Sequence, residues 1–309
     1  MKFKKKNIFC KICKSKNLTL LTNEIRETKK DVLRCNKCGI VFLKDFKNIK
    51  YENKRSKYHS KIVNEKKSYK KMLIERSKNI KIVYKKFISY IKKDKLIDLL
   101  EIGPGLGAIN YLLQKDLKKI NYNFIEKNNF YKKKILSSFP KTKVLDDLDF
   151  NSKNLNYDTY SIILLVHVFE HIDDPIKLIK QIHLRLKKNG KVILFMPNYN
   201  DYLIENLNGE ALKNYKKTIH HESHLFYYNK KSFKNLINKV KLFKIEKIET
   251  IEEYSILNFF NWIINKKPQI NYTIATETTK NFKIFDKFFK SEVQKKGMGS
   301  TLFVVLKKL

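Results

Sequence analysis

The chain has 309 residues, of which 67 are lysine or arginine and 30 are aspartate or glutamate, giving a formal net charge of +37. This length is sufficient for one large domain and a smaller one. The most apolar runs, residues 161–166 and 259–264, are far shorter than the roughly 20 residues of a spanning helix, which excludes a helical membrane protein. The basic N-terminus has no apolar core like that of a secretory signal, so the expected location is the cytoplasm.

The positive charge is nearly all lysine, because arginine occurs at only five positions, and the lysines are spread along the whole chain. Recognition of bases and bidentate contacts to phosphate favour arginine. We therefore interpret the charge as a solvated lysine surface that reflects composition, with an RNA-binding surface as the alternative. Binding of an anionic small molecule such as a nucleotide sugar is compatible with either interpretation.

All four cysteines belong to two Cys-x-x-Cys pairs, Cys10 with Cys13 and Cys35 with Cys38. Two pairs at this separation are typical of a tetrahedral four-thiolate Zn²⁺ site, and Gly39 suits the turn after the second pair. Four thiolates leave no open coordination position, so the expected zinc ion is structural. A disulfide or a redox-active pair is the alternative, which a reducing compartment and the presence of two pairs disfavour.

The cysteine region is expected to form a small N-terminal domain, a zinc ribbon, over residues 1–44. Two short strands between the cysteine pairs would complete it, and we predict them at residues 18–22 and 30–33. A helical connector is expected over residues 45–94. Its first part fits either a helix or a mobile segment, whereas the apolar spacing of residues 77–91 predicts one amphipathic helix.

A glycine-rich turn follows the first strand of the remaining chain. Residues 95–102 are apolar on both faces, as a strand buried in a parallel sheet should be. Gly103, Gly105 and Gly107 then provide a backbone without Cβ atoms, which can take positive φ and lie against a ligand. From Ala108 the apolar spacing is helical, so the turn also begins a helix whose free N–H groups face a ligand.

These glycines lack the spacing of the dinucleotide motif Gly-x-Gly-x-x-Gly. With Glu101 two places before them, they form Glu-x-Gly-x-Gly-x-Gly, which resembles the first motif of the class I S-adenosylmethionine-dependent methyltransferases. The resemblance implies an α/β fold with a doubly wound, mostly parallel, seven-stranded Rossmann-like sheet. It also implies S-adenosylmethionine as the cofactor, held by Gly103, Gly105 and Gly107, with Glu101 near its methionine end.

Three further acids are candidates for cofactor binding. Glu126 ends the second predicted strand, residues 122–126, where a carboxylate can accept hydrogen bonds from both ribose hydroxyls. A helix is predicted at residues 129–138 and a third strand at 143–147. In many members of the resembled family an acid after this strand contacts the adenine amine, and either Asp146 or Asp147 fits that role.

The fourth predicted strand, within residues 157–166, is followed by His-x-x-Glu-His and then Asp-Pro, a second segment similar to the same family. His167 is expected to contact the cofactor, and Glu170 and His171 to form the pocket wall, with a catalytic role for His171 as the alternative. Asp174 is typical of a helix N-cap with proline in the first turn. We expect Asn189 and Gly190 to end that helix, and residues 191–197 to form the fifth strand.

Three of the seven histidines fall within residues 218–228, after a connector long enough for a substrate-binding insertion. Methyl transfer from a sulfonium requires alignment of the acceptor and removal of its proton. His221, Glu222 and His224 are therefore the candidate catalytic residues, since a neutral histidine can accept a proton near pH 7. Metal binding by these histidines and plain packing of one or two of them are the alternatives.

The combination of ribbon, methyltransferase motifs and His-Glu-x-His resembles the bacterial sugar methyltransferases of surface-polysaccharide and deoxysugar pathways. The carbon-methylating branch has a Tyr-x-Glu-His-like cluster and an additional C-terminal domain. This chain has His221-Glu222-Ser223-His224 and is too short for that domain, so methylation of a sugar hydroxyl is expected. RNA methylation is the second hypothesis, although residues 196–199 lack the Asn/Asp-Pro-Pro-Tyr signature of base-amine methylation.

The methyltransferase domain is assigned to residues 95–309. Within it, residues 199–230 are expected to be the substrate insertion and residues 252–296 a segment that covers a pocket, contacts a second chain or touches lipid. Two closing strands are predicted near residues 242–251 and 300–306.

Overall fold

A computed structural model describes residues 8–26, 28–44, 68–91, 95–145, 158–268 and 280–309. The strands of these residues form two sheets, one of four strands and one of seven. No helix within the described ranges is long and apolar enough to cross a membrane.

The cysteine region contains three antiparallel strands, β1 (Leu18–Glu24), β2 (Lys29–Cys35) and β3 (Val41–Leu43). The two strands predicted between the cysteine pairs are confirmed. Strand β3 is only three residues long and fully buried, and its sequence pattern did not predict it. The fourth strand of this sheet is β9 (Phe226–Tyr227), which comes from the far end of the chain.

The single helix predicted over residues 77–91 is wrong, because the structure has two helices, α1 (Tyr69–Asn79) and α2 (Lys81–Ile88). The chain leaves helical geometry at Ile80 with φ −89° and ψ 4°. The apolar pattern does not reveal this break, since Ile80 and Val83 are both buried. Residues 45–67 of the predicted connector lie outside the described residues.

The seven-stranded sheet has the order β10-β11-β8-β7-β4-β5-β6. Its strands are β4 (Ile97–Ile102), β5 (Ile120–Ile125), β6 (Lys143–Val144), β7 (Tyr160–Val166), β8 (Leu186–Pro197), β10 (Phe243–Ile251) and β11 (Thr301–Lys308). Strand β11 runs antiparallel to both of its neighbours, and the pairs from β8 to β6 are parallel. The predicted doubly wound, mostly parallel seven-stranded sheet is confirmed, including its two closing strands.

The helices that alternate with the strands are α3 (Ala108–Asp116), α4 (Asn129–Ser138), α5 (Pro175–Arg185) and α8 (Lys230–Val240). Four more helices belong to the predicted insertion and cover segments: α6 (Tyr202–Asn206), α7 (Gly209–Ile219), α9 (Ile256–Asn265) and α10 (Lys280–Lys295). Asp174 caps α5 as expected, because its side chain accepts a hydrogen bond from the N–H of Lys177.

Two predicted boundaries near the fourth and fifth strands are wrong. Helix α5 ends at Arg185, and strand β8 begins immediately at Leu186. Asn189 and Gly190 form a bulge inside β8 instead of a helix cap, since the pairing of β8 with β7 shifts register there. A Cβ on Gly190 would lie 2.9 Å from the carbonyl oxygen of Lys187, so this bend requires glycine.

The third predicted strand is shorter than expected, since β6 covers only Lys143–Val144. Asp146 and Asp147 lie outside the described residues.

The cysteine region is joined to the larger sheet domain by the pairing of β3 with β9. Val41 lies opposite Tyr227, and Phe42 opposite Phe226. Phe42 and Phe226 are fully buried, and their ring centroids are 6.5 Å apart. The two parts of the chain therefore share one hydrophobic core.

We expect Phe42→Ala to lower the free energy of unfolding by about 3–5 kcal/mol, the usual cost of removing a fully buried phenylalanine ring. Urea titration followed by circular dichroism measures the change. Phe260→Ala is the matched control, because that ring is 44 % exposed and its removal should change the stability by less than about 0.5 kcal/mol. Equal effects of the two substitutions would contradict the shared core.

Candidate active site

The three glycines after β4 all have positive φ, at +71° for Gly103, +58° for Gly105 and +76° for Gly107. A Cβ on Gly103 would lie 2.6 Å from Cγ2 of Val168, so this glycine permits close packing of two loops. The Cβ position of Gly105 has nothing within 4 Å. The turn is thus packed at Gly103 and open at Gly105, where a bound molecule can approach the backbone.

The carboxylate of Glu126 lies against the open part of this turn. Its Oε2 accepts a hydrogen bond from the N–H of Gly105 at 3.0 Å, and its Oε1 accepts one from the N–H of Asn128 at 2.8 Å. The structure therefore brings together Glu126 and the glycines, as expected for a ribose-binding acid at the carboxyl edge of a parallel sheet.

Glu101 is 2 % exposed and lies beneath the same turn. Burial raises the pKa of Glu101 to about 7, and the negative charge of Glu126 acts in the same direction. The hydroxyl of Tyr122 donates a hydrogen bond to the Glu101 carboxylate. A positive charge placed beside Glu101 would lower this raised pKa and favour the ionised carboxylate.

His167 follows β7 directly and has a φ of 53°, which is unusual for a residue other than glycine. Its Nδ1 lies 3.9 Å from Oε1 of Glu170, and its Nε2 lies 3.7 Å from Oε1 of Glu253. Glu253 was not among the residues predicted from the sequence. The signal was available, because Glu253 comes just after the predicted closing strand and carboxyl ends of strands define the ligand edge of such sheets.

A group of histidines surrounds Glu170. We call Glu170, His167, His171 and His224 the histidine cluster. The Nε2 atoms of His171 and His224 each lie 3.9 Å from Oε1 of Glu170, and the His171 and His224 ring centroids are 4.8 Å apart. The structure thus joins the predicted wall residues to part of the predicted catalytic segment.

The three predicted catalytic residues do not face the same way. The ring of His221 lies 3.7 Å from that of His224, centroid to centroid, and its Nδ1 is 2.7 Å from the Ser223 hydroxyl. Glu222 instead contacts the cysteine region, where its Oε1 accepts a hydrogen bond from the Thr28 hydroxyl at 3.0 Å. The carboxylate that faces the histidines is that of Glu170.

Burial favours the neutral form of His224, which belongs to the cluster, and of the nearby His220. It lowers the pKa of His224 well below the ordinary value, and the neighbouring histidines add to the effect. Burial also lowers the pKa of His220 to about 4. His220 packs against Tyr199, with its Nε2 3.3 Å from the tyrosine hydroxyl, so the packing alternative is correct for this histidine.

The four cysteine thiols converge in the way that a tetrahedral metal site requires. Cys10 and Cys38 have their sulfur atoms 3.6 Å apart, and Cys13 and Cys35 have theirs 3.5 Å apart. All four sulfur atoms lie within 4.8 Å of one another. With a zinc–sulfur distance of about 2.3 Å, a tetrahedral site has sulfur atoms roughly 3.8 Å apart, so the residues present fit Zn²⁺.

The cysteine region also fixes the position of residues 218–228, which contain His220, His221 and His224 and which we call the histidine segment. The backbone N–H of Arg26 donates to the carbonyl of His220 at 2.8 Å, and its guanidinium Nε donates to the carbonyl of Thr218 at 2.9 Å. The N–H of Leu43 donates to the carbonyl of Leu225 at 3.1 Å. These contacts fix the backbone on both sides of His221 and His224.

A family model described as a methyltransferase domain matches residues 76–242, which is more than half of the chain. The chain belongs to this methyltransferase domain family and is an enzyme. No curated protein matches the sequence.

Solved structures similar to this chain include a SAM-dependent methyltransferase from Archaeoglobus fulgidus, with a TM-score of 0.50 and 16 % identity, covering 75 % of this chain and 94 % of the other. Another is phosphoethanolamine N-methyltransferase 2 of Haemonchus contortus in complex with S-adenosyl-L-methionine, with a TM-score of 0.46 and 15 % identity, covering 75 % and 52 %. At this identity, the Archaeoglobus structure supports the fold alone.

We expect Glu101→Gln to change the pH dependence of stability. Folding raises the pKa of the wild-type Glu101 carboxyl from 4.5 to about 7. The contribution of this carboxyl to the free energy of unfolding is therefore fully present below the unfolded pKa and is lost as pH rises through the folded pKa. Glutamine has no such dependence. The stability of the variant relative to wild type should therefore increase between about pH 5 and about pH 8, by at most about 3 kcal/mol.

Urea titrations of both proteins at the two pH values measure this difference. Asp116→Asn is a control at an exposed acid. A stability difference between Glu101→Gln and wild type that does not depend on pH would contradict the raised pKa.

Proposed function

We propose that this enzyme transfers the methyl group of S-adenosylmethionine to a hydroxyl of a small sugar or glycan acceptor. The observation that carries the proposal is the contact of Gly103 with Val168. Val168 lies between His167 and Glu170, so the open glycine turn and the histidine cluster adjoin at the carboxyl edge of the sheet. A methyl donor held by the turn would present its reactive end next to groups that can accept a proton.

The residues of the turn fit this cofactor. Gly105 leaves open space, Glu126 presents a carboxylate beside it for the ribose hydroxyls, and the buried Glu101 can pair with the cofactor's ammonium group. When bound, the cofactor supplies a methyl group on a positively charged sulfur. We assign the four cysteines to one structural Zn²⁺ ion, because a closed thiolate shell offers no position for substrate.

Residues of the chain then remove the proton of the acceptor hydroxyl during methyl transfer. The acceptor oxygen forms a bond to the methyl carbon while the carbon–sulfur bond breaks and its electron pair stays on sulfur. The hydroxyl proton passes to an imidazole nitrogen of His221, whose ring lies against that of His224. Glu222 supports this segment by holding it to Thr28 and Lys30 of the cysteine region.

The sugar acceptor is inferred from the resemblance of residues 221–224 to the His-Glu-x-His segment of sugar methyltransferases. The pocket lined by Asp201, Glu252, Asn258 and Phe259 does not carry this inference, because its volume of about 20 Å³ holds little more than one water molecule.

RNA is the second candidate acceptor. The net charge of +37 and the cysteine region placed beside the histidine segment favour it.

Gly105→Ala tests the cofactor site. The new Cβ would occupy the space that the cofactor needs, so the Kd for S-adenosylhomocysteine should rise at least about tenfold by isothermal titration calorimetry. Gly209→Ala is the matched control, because Gly209 also has positive φ and nothing within 4 Å but lies in α7. An unchanged Kd for Gly105→Ala would refute this placement.

The acceptor is tested by incubating the enzyme with cofactor labelled on its methyl group and fractionated host extract. We expect label in nucleotide sugars or glycans. His221→Ala should lower the labelling rate about 100-fold or more, with an unchanged Kd for S-adenosylhomocysteine. His183→Ala in α5 is the control. Ribonuclease-sensitive label would overturn the sugar assignment in favour of RNA.

A further inference from the structure

We propose that Glu170, His171 and His224 bind one divalent transition-metal ion at the carboxyl edge of the sheet, separate from the four-cysteine site. Each of the three residues offers one ligand atom, and these atoms lie within 4.8 Å of one another. Two imidazoles and one carboxylate are a ligand set that Zn²⁺, Fe²⁺, Co²⁺ and Mn²⁺ accept.

The distances are close to those of a bound site. Oε1 of Glu170 is 3.9 Å from Nε2 of His171 and 3.9 Å from Nε2 of His224. Metal–ligand bonds of about 2.1 Å place neighbouring ligand atoms roughly 3.0–3.5 Å apart. Side-chain movements of less than about 1 Å would therefore bring the three atoms onto a common ion.

The tautomer of His171 is the one that a metal ligand needs. Its Nδ1 contacts the carbonyl oxygen of Ser223, which can only accept a hydrogen bond. Nδ1 therefore carries the hydrogen, and Nε2 presents its lone pair to Glu170. A backbone carbonyl that receives the other ring N–H is the usual support of a metal-binding histidine.

The ligands lie on fixed parts of the chain. Glu170 and His171 belong to a short 3₁₀ helix, Phe169–His171, which the fully buried ring of Phe169 fixes against Tyr228 and Phe233. The N–H of Leu225, next to His224, donates to the carbonyl of Glu170 at 2.9 Å. The two segments that supply the ligands are therefore hydrogen-bonded to each other, which reduces the rearrangement that metal binding requires.

Three protein ligands leave at least one coordination position open. Resting on the proposed function, we assign this position to the acceptor hydroxyl, whose proton a Lewis acid makes easier to remove. With His224 bound to the metal, His221 accepts the proton. The oxygen then bonds to the methyl carbon as the carbon–sulfur bond breaks and the electron pair remains on sulfur.

The test uses the full chain, first loaded with one equivalent of Zn²⁺ per chain, which the four thiolates bind, and then titrated with Co²⁺ without cofactor or acceptor. We expect one Co²⁺ per chain in addition to Zn²⁺, with visible ligand-field bands and no thiolate charge-transfer band. Elemental analysis gives the stoichiometry. Absence of a second ion in the wild-type protein would overturn the proposal, whatever the variants do.

Glu170→Gln and His224→Ala should each weaken Co²⁺ binding at least about tenfold, because losing even an outer-shell partner of a ligand costs about 10–100-fold in metal affinity. His183→Ala, which leaves the three ligands intact, should bind Co²⁺ like wild type. Each variant is first checked for S-adenosylhomocysteine binding, which reports an intact fold. Wild-type Co²⁺ affinity in both folded variants would also overturn the proposal.

The outcome is independent of the acceptor assignment. Co²⁺ binding with no labelled sugar would refute the proposed function but support the metal site. Labelled sugar with no second ion would support the proposed function but refute the metal site.

Discussion

The pairing of β3 with β9 is the interaction on which the arrangement of the candidate active site depends. It joins a small region around four cysteines to the segment that carries His221 and His224. A region this small buries too little apolar surface to fold by itself, so its core at Phe42 is shared with the larger domain. Folding of the cysteine region and ordering of the histidine segment are therefore one physical event in our account.

The second constraint is the close approach of Gly103 to Val168. Two loops that follow neighbouring parallel strands, β4 and β7, touch there because glycine has no Cβ atom. That contact puts the open space at Gly105 next to the histidine cluster. Since Glu170 and His171 directly follow Val168 and Phe169, the fold places the glycine turn and the histidine cluster side by side without a long-range rearrangement.

Local sequence patterns predicted much of this structure. Alternation of apolar strands and amphipathic helices gave the sheet, and the Asp-Pro pair gave the start of α5. Features that depend on tertiary contacts were not predicted. The helix break at Ile80 leaves the apolar spacing unchanged, so the pattern does not show it. Asn189 and Gly190 are suited to a strand bulge as well as to a helix cap. Likewise, nothing near Glu222 in the sequence shows that it faces Thr28, a residue 194 positions away.

Hydrogen–deuterium exchange of the Cys38→Ser variant tests most directly whether the cysteine region orders the active site. We expect faster exchange than in wild type for residues 218–228, whose backbone accepts hydrogen bonds from Arg26 and Leu43. Residues 103–110 should still gain protection when S-adenosylhomocysteine is added. Wild-type exchange of residues 218–228 in a variant that has lost its bound zinc would contradict the account.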